Sequence, residues 1–268
     1  MTQEMYPLTS SDRERQRLRT QAEALRPMTL RMLDGAAIGP GARVLELGCG
    51  TGEVTALIAE RVGPSGEIVA IDRDPAQIEA ARARLAGQRN IQWIVSEIDD
   101  FQPTAAFDAV VGRYVLIYLR DPEQTVAHAA RWLRPGGRLA FLEMDFHRGA
   151  ASIIWPAPSA ATARAIAFIA DVMLDAGVQP HMAARLPSML SGLGAVQAEV
   201  GAPIQLGARS VELPLEAVRS VQPTARRLHR PDADDHDVDA LLQAELAGRD
   251  ARTVTVPPLS VAAWVAVT

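Results

Sequence analysis

The 268-residue sequence predicts an α/β fold, a mostly parallel sheet flanked by helices. Three observations lead there. Val44, Leu45 and Leu47 form a short apolar run suited to a strand covered on both faces. The run enters a turn, Gly48-Cys49-Gly50-Thr51-Gly52, beyond which Val54, Leu57 and Ile58 recur at helical spacing. From there to Glu143, short apolar runs alternate with helical patterns, an order that right-handed crossovers convert into parallel strands with ligands at their carboxyl ends.

The turn carries the first chemical signal. Gly48, Gly50 and Gly52 permit positive φ and let a ligand approach backbone N–H groups at a helix N-terminus, where an anionic group is favoured. The dinucleotide spacing G-x-G-x-x-G would need glycine at 53, and the chain has Glu53, which would meet a pyrophosphate with a carboxylate. Glu46, at the end of the preceding strand, repels phosphate but accepts hydrogen bonds from an ammonium. A ligand carrying both charges, like an amino acid, fits better. The next strand, residues 67–71, ends at Asp72, 20 residues beyond Gly52, an offset at which an acid takes ribose hydroxyls. Amino acid plus ribose suggests S-adenosylmethionine.

At these residues the sequence resembles the class I S-adenosylmethionine-dependent methyltransferases, and the core also resembles the ubiquinone and menaquinone methyltransferases. The resemblance spans roughly residues 40–145 and is carried further by the 107–111 strand and the 133–139 turn. It implies a Rossmann-like seven-stranded sheet, mostly parallel, with the last strand antiparallel. It implies Glu46, Gly48, Cys49, Gly50 and Gly52 at the methionine end of the cofactor, Asp72 on the ribose, and Arg73, Glu97 and Ile98 around the adenine. Glu97 follows Ser96 where the family has Gly-Asp. Gly112 and Arg113, at the exit of the fourth strand, complete the cofactor set, with Arg113 a candidate for the methionine carboxylate.

Composition narrows the rest. All 27 basic residues are arginine, so lysine Schiff bases, a lysine general base and a phosphate-loop lysine are excluded. The single cysteine, Cys49, makes no internal disulfide and suits a small filler better than a nucleophile; arsenite methyltransferases, which need several cysteines, are excluded too. A net charge of −5 gives no broad attraction to nucleic acid. No run approaches the ~20 apolar residues that span a membrane, and the first residues lack an apolar signal core. The expectation is a cytoplasmic protein, not membrane-bound, taking a small-molecule substrate, with a homodimer allowed for.

Taken in order, Ser11-Asp12-Arg13-Glu14 fits a capping box, and Leu18, Ala22, Leu25, Met28 and Met32 follow at helical spacing, with Pro27 dividing two helices. Residues 1–38 are read as a helical lid, with Tyr6 near a pocket, and 39–268 as the methyltransferase domain. Asp74-Pro75 opens a helix, 91–95 is the third strand, 122–133 a helix and 138–143 the fifth strand. After Asp145 the alternation stops. Residues 151–158 read as irregular, 159–176 and 181–190 as helices of an insert at about 150–192, 195–206 as the sixth strand, 212–228 and 235–246 as two further helices within about 211–248, and 259–267 as the reversed last strand.

In-line methyl transfer is largely alignment and exclusion of water, and a base is needed only where the acceptor has a proton to lose. His147 is the first candidate base, with Asp145 beside it; His181 ranks behind it, and Tyr114 is placed where an aromatic face would favour the sulfonium. His128 reads as structural. The run Asp232-Ala233-Asp234-Asp235-His236-Asp237 lacks the glycine and distal glutamate of a calcium loop and reads as a solvated helix start, so no metal is assigned. The expected activity is methylation of a small metabolite, secondary-metabolite or quinone-like, at O, C or N. A cofactor-dependent cyclase or a non-methylating cofactor-binding protein is the alternative, and an NAD-dependent oxidoreductase a remote one.

Overall fold

A computed structural model describes residues 12–148 and 152–267. The expectations for Tyr6 and for Ser11 as a cap lie outside them. The elements run α1 Asp12–Gly35, β1 Arg43–Leu47, α2 Glu53–Val62, β2 Glu67–Asp72, α3 Pro75–Arg84, β3 Ile91–Val95, β4 Phe107–Arg113, α4 Pro122–Arg131 and β5 Leu133–Met144. They continue with β6 Ile153–Trp155, α5 Ala160–Asp175, α6 Met182–Leu190, β7 Val196–Gly201, β8 Gln205–Leu206, α7 Glu212–Arg227, α8 Val238–Ala247, β9 Val254–Val256 and β10 Ser260–Ala266.

The chain divides into two compact units. One, residues 26–144, 182–201 and 260–268, holds the seven-stranded sheet in the order β3-β2-β1-β4-β5-β10-β7. β1 pairs in parallel with β2 and β4, β2 with β3, and β4 with β5. β10, last in the chain, runs antiparallel to both β5 and β7. This is the seven-stranded, mostly parallel Rossmann-like sheet with a reversed last strand that the sequence predicts. Chain order reverses at β1, whose neighbours β2 and β4 lead away on opposite sides, so the carboxyl end of β1 is the topological switch point. Val44, Leu45, Glu46 and Leu47 are all buried, as a strand covered on both faces requires.

The division of the chain differs from a lid ending at residue 38. Met32 and Leu33 of α1 and Ala36 just beyond it lie in the same buried cluster as Val44, Ile58 and Ala262, so residues 26–38 belong with the sheet. Nor does Pro27 divide α1. Glu14, Arg17, Ala22, Leu25, Thr29 and Met32 keep one buried stripe in phase along the helix, while Pro27 sits on its exposed face. The lost N–H bond there is outweighed by burial of the stripe on both sides. β5 begins earlier than expected: Leu133 pairs with Phe107, residues 134–137 bulge out with Gly136 at φ 78°, and Arg138 resumes the ladder opposite Ala109.

The other unit, residues 1–25, 145–181 and 202–259, contains α5, α7, α8 and a three-stranded sheet ordered β6-β9-β8. The expected sixth strand, 195–206, is two strands in two sheets. Pro203 has no N–H to give a ladder, and the chain leaves the large sheet at Gly201. The stretch expected to be irregular contains β6, whose three residues were too few to show a period.

Candidate cofactor site at the end of strand β1

Gly48, Gly50 and Gly52 take φ of 65°, 51° and 78°, and Gly52 starts α2. Their open sides differ. A Cβ on Gly48 would lie 2.7 Å from Val115 Cγ2, and one on Gly52 3.2 Å from Ala81 Cβ, whereas one on Gly50 meets nothing within 4 Å. Gly50 is therefore the glycine of this turn that leaves its backbone open to a ligand. At Gly112 the missing side chain makes room for Val115 and Phe141, at 2.6 and 3.0 Å from a would-be Cβ.

Asp72 ends β2 and turns toward this loop. Its Oδ2 accepts the Gly50 N–H at 2.8 Å and its Oδ1 the Asp74 N–H at 2.9 Å, so both oxygens are fixed in place. Burial raises its pKa, and the two N–H donors pull it back down. Cys49 is buried, its N–H bonded to Ile71 O, and burial drives its thiol pKa far up, which leaves no nucleophile. Glu46 is buried on β1; its Oε2 accepts the Thr55 hydroxyl at 2.6 Å, and burial pushes its pKa up to about 8. Glu53, in the first turn of α2, pairs with Arg84, while its Oε1 is buried with no hydrogen-bond partner. Glu53 is therefore charge-paired at the start of α2 and keeps one carboxylate oxygen free to accept, while Arg84 also reaches the Thr51 carbonyl of the loop.

Arg113, at the end of β4, is half-buried and donates to the Thr29 hydroxyl at 3.2 Å; burial lowers its pKa. Arg73 is half-buried beside Asp72, Glu97 is exposed, and Ile98 is buried just beyond β3. Tyr114 is corrected as a catalytic candidate. At φ 54° it turns its ring into the cluster of Met32, Leu33 and Ala262, and its hydroxyl is 2.8 Å from Ser260 Oγ, with its pKa raised by burial.

Sequence reasoning missed Glu143. Fully buried near the end of β5, it accepts Val115 N–H and Leu116 N–H on Oε1 at 3.0 and 2.9 Å and Ile117 N–H on Oε2 at 3.4 Å. It thereby satisfies the start of the short helical turn Leu116–Tyr118 and fixes Val115, which fills the space over Gly48 and Gly112. The cue was a lone acid inside the apolar run Leu139–Met144.

In the other unit, Asp145 draws two histidines together. His147 Nε2 lies 3.8 Å from Asp145 Oδ2 and His181 Nδ1 3.7 Å from Oδ1, with the two rings stacked at 5.2 Å. His147 Nδ1 is 3.0 Å from the Arg148 carbonyl. A carbonyl only accepts, so neutral His147 carries its proton on Nδ1 and leaves Nε2 unprotonated beside Asp145.

Fold and loop define an α/β protein with an open glycine turn at a parallel-strand switch point. Residues 44–137 match the family model described as a methyltransferase domain. Over 131 residues the chain is 40% identical to aklanonic acid methyltransferase DauC of Streptomyces sp. strain C5, covering 47% of this chain and 59% of that one. It is 35% identical over 124 residues to nocamycin O-methyltransferase of Saccharothrix syringae (45% and 44% covered). With the ubiquinone/menaquinone C-methyltransferase UbiE of Hahella chejuensis it shares 32% over 117 residues (42% and 47%). The chain thus spans about half the length of the curated relatives it matches. Among solved structures, coclaurine N-methyltransferase bound to N-methylheliamine and SAH superposes with a TM-score of 0.56 at 15% identity. That match covers 89% of this chain and 71% of the other, a likeness of fold. No helix among the described residues is long and apolar enough to cross a membrane.

Proposed function

We propose that the chain is an S-adenosylmethionine-dependent methyltransferase acting on a small-molecule acceptor. The observation that carries the reading is the pairing, at the switch point, of Gly50, open toward a ligand, with Asp72, whose carboxylate is already oriented by the Gly50 and Asp74 N–H groups. Bound S-adenosylmethionine would supply a methyl group made electrophilic by a sulfonium. The protein's own part is to hold that ligand. Asp72 accepts the ribose hydroxyls, the N-terminus of α2 and the Gly50 backbone face the amino-acid end, and Glu53 Oε1, which has no partner of its own, accepts from the ammonium. Arg73, Glu97 and Ile98 are assigned to the adenine and Arg113 to the carboxylate. The relatives' names, which refer to aklanonic acid, to nocamycin and to ubiquinone/menaquinone biosynthesis, support a small metabolite as substrate. Where the acceptor has a proton to lose, its removal is assigned to His147, with Asp145 and His181 holding the imidazolium.

Calorimetry with S-adenosylmethionine, its demethylated product and NAD tests the cofactor. The first two are expected to bind in the micromolar range, and Asp72→Ala to weaken both by about 1–3 kcal/mol through lost charge-assisted bonds. Tighter binding of NAD defeats the assignment. Incubation with a labelled methyl donor tests the substrate class: label in extracted small metabolites supports it, and label confined to nucleic acid or protein overturns it.

A further inference from the structure

The small sheet β6-β9-β8 has two unlike faces. Ile154 and Thr255 are paired across β6 and β9 and point inward, where Ile154 packs with Ile166 and Val211 and Thr255 Oγ1 meets Ser210 Oγ at 2.9 Å. The alternate residues share the other face. Trp155, Val254 and Leu206 form one row across all three strands, and Ile153 pairs with Val256 in the next, beside Ile204, which precedes β8 by one residue. An outward face of an antiparallel sheet in water is ordinarily polar. Here every residue is apolar, and Ile153, Trp155, Ile204 and Leu206 are 68, 68, 63 and 72% exposed.

We propose that this face is the interface of a symmetric homodimer, two copies packing sheet against sheet about a two-fold axis. At those exposures the face leaves on the order of 600 Å² of contiguous apolar surface, the upper end of what monomers tolerate and about three-quarters of the ~800 Å² per partner of a standard stable interface. The charged residues beside it decide the occupant. Next to β8 and β9, exposed Arg209 pairs with Glu212 and exposed Arg252 with Asp250, while buried Arg249 pairs with Glu245, so each of these arginines is neutralised within the chain. With a net charge of −5, no cationic field is left for an anionic lipid surface. An apolar centre with a charge-balanced rim is complementary to itself, as a two-fold contact requires.

The experiment is sedimentation equilibrium of the full chain from 1 to 100 μM, with Ile153→Glu/Leu206→Glu as the variant. The native chain is expected to dimerise, and the variant to raise the dissociation constant at least 100-fold with its circular dichroism and melting temperature kept, because both side chains already face outward. Leu206→Cys gives a second reading. Cys49 is buried, so a spin label attaches at 206 alone, and two labels should lie within 30 Å in the dimer. A native chain that stays monomeric at 100 μM, a dimer that survives the double substitution, or a face that takes up neutral vesicles or small apolar metabolites while the chain remains monomeric would each overturn the proposal.

Discussion

At the scale of single residues, the instructive acids are those that bind the protein to itself. Glu143 serves three backbone N–H groups from inside the sheet, a cost that burial makes steep and the three donors offset. Glu143→Ala strands those donors away from water and is expected to cost roughly 3–5 kcal/mol in urea unfolding. Glu143→Gln keeps an oxygen for Val115 and Leu116 and is expected to lose less than half of that; equal losses would show that the contact with Ile117, not the Oε1 pair, holds the loop. His147 behaves differently, since its ring is 41% exposed and stacks only on the still more exposed ring of His181. For a hydroxyl acceptor, His147→Ala should lower kcat by ~10²-fold or more with cofactor affinity unchanged. Unchanged turnover removes His147 from the reaction.

At the scale of elements, close approaches decide more than propensity. α1 ends at Gly35, where an added Cβ would lie 2.2 Å from Trp264 Cδ2 on β10, and the Gly35 carbonyl accepts Arg138 Nη1–H at 3.1 Å. Gly35→Ala must push the helix end off the sheet and is expected to cost about 1–3 kcal/mol, read as a lowered melting temperature. Gly39→Ala, where nothing lies within 4 Å, is the control and should be near neutral. Both glycines look alike in the sequence, which shows where legibility ends. The β1 loop is legible because its conformation is local: Gly48, Gly50 and Gly52 take positive φ, and Asp72 ends its strand beside them. Elements whose limits are tertiary were misread. Pro27 looked like a break because its exposed position on α1 is known only once the buried stripe is, and 195–206 looked like one strand because the sheet it leaves is not written in it. Glu143 and Tyr114 show the same limit: neither the three N–H groups that the acid serves nor the Ser260 hydroxyl beside the tyrosine is near it in sequence.

At the scale of the whole molecule, the titrating groups fall into two sets with opposite consequences for stability. Glu46 and Glu143 are both pushed from the ordinary 4.5 up to about 8, chiefly by burial. The folded chain holds these protons more tightly than the unfolded one, so the stabilisation is complete below pH 4.5 and is lost as pH rises through about 8. Asp232, held down by its bonds to Arg230, and Glu245, whose bonds from Thr162, Ser159 and Arg249 outweigh its burial, are shifted the other way. Their contribution is present above the ordinary carboxylate range and fades as pH falls through their lowered values. Two acids losing stability from pH 4.5 up to about 8 and two losing it in strong acid leave a maximum near the lower end of that window. The melting temperature should therefore peak near pH 5 and decline toward pH 8, and the decline should flatten in Glu46→Gln/Glu143→Gln, which has no proton to lose at either position. A melting temperature that rises from pH 5 to 9, or a double variant with the native slope, would mean that both carboxylates are already ionised in the folded chain, with the Thr55 hydroxyl and the three N–H donors outweighing burial.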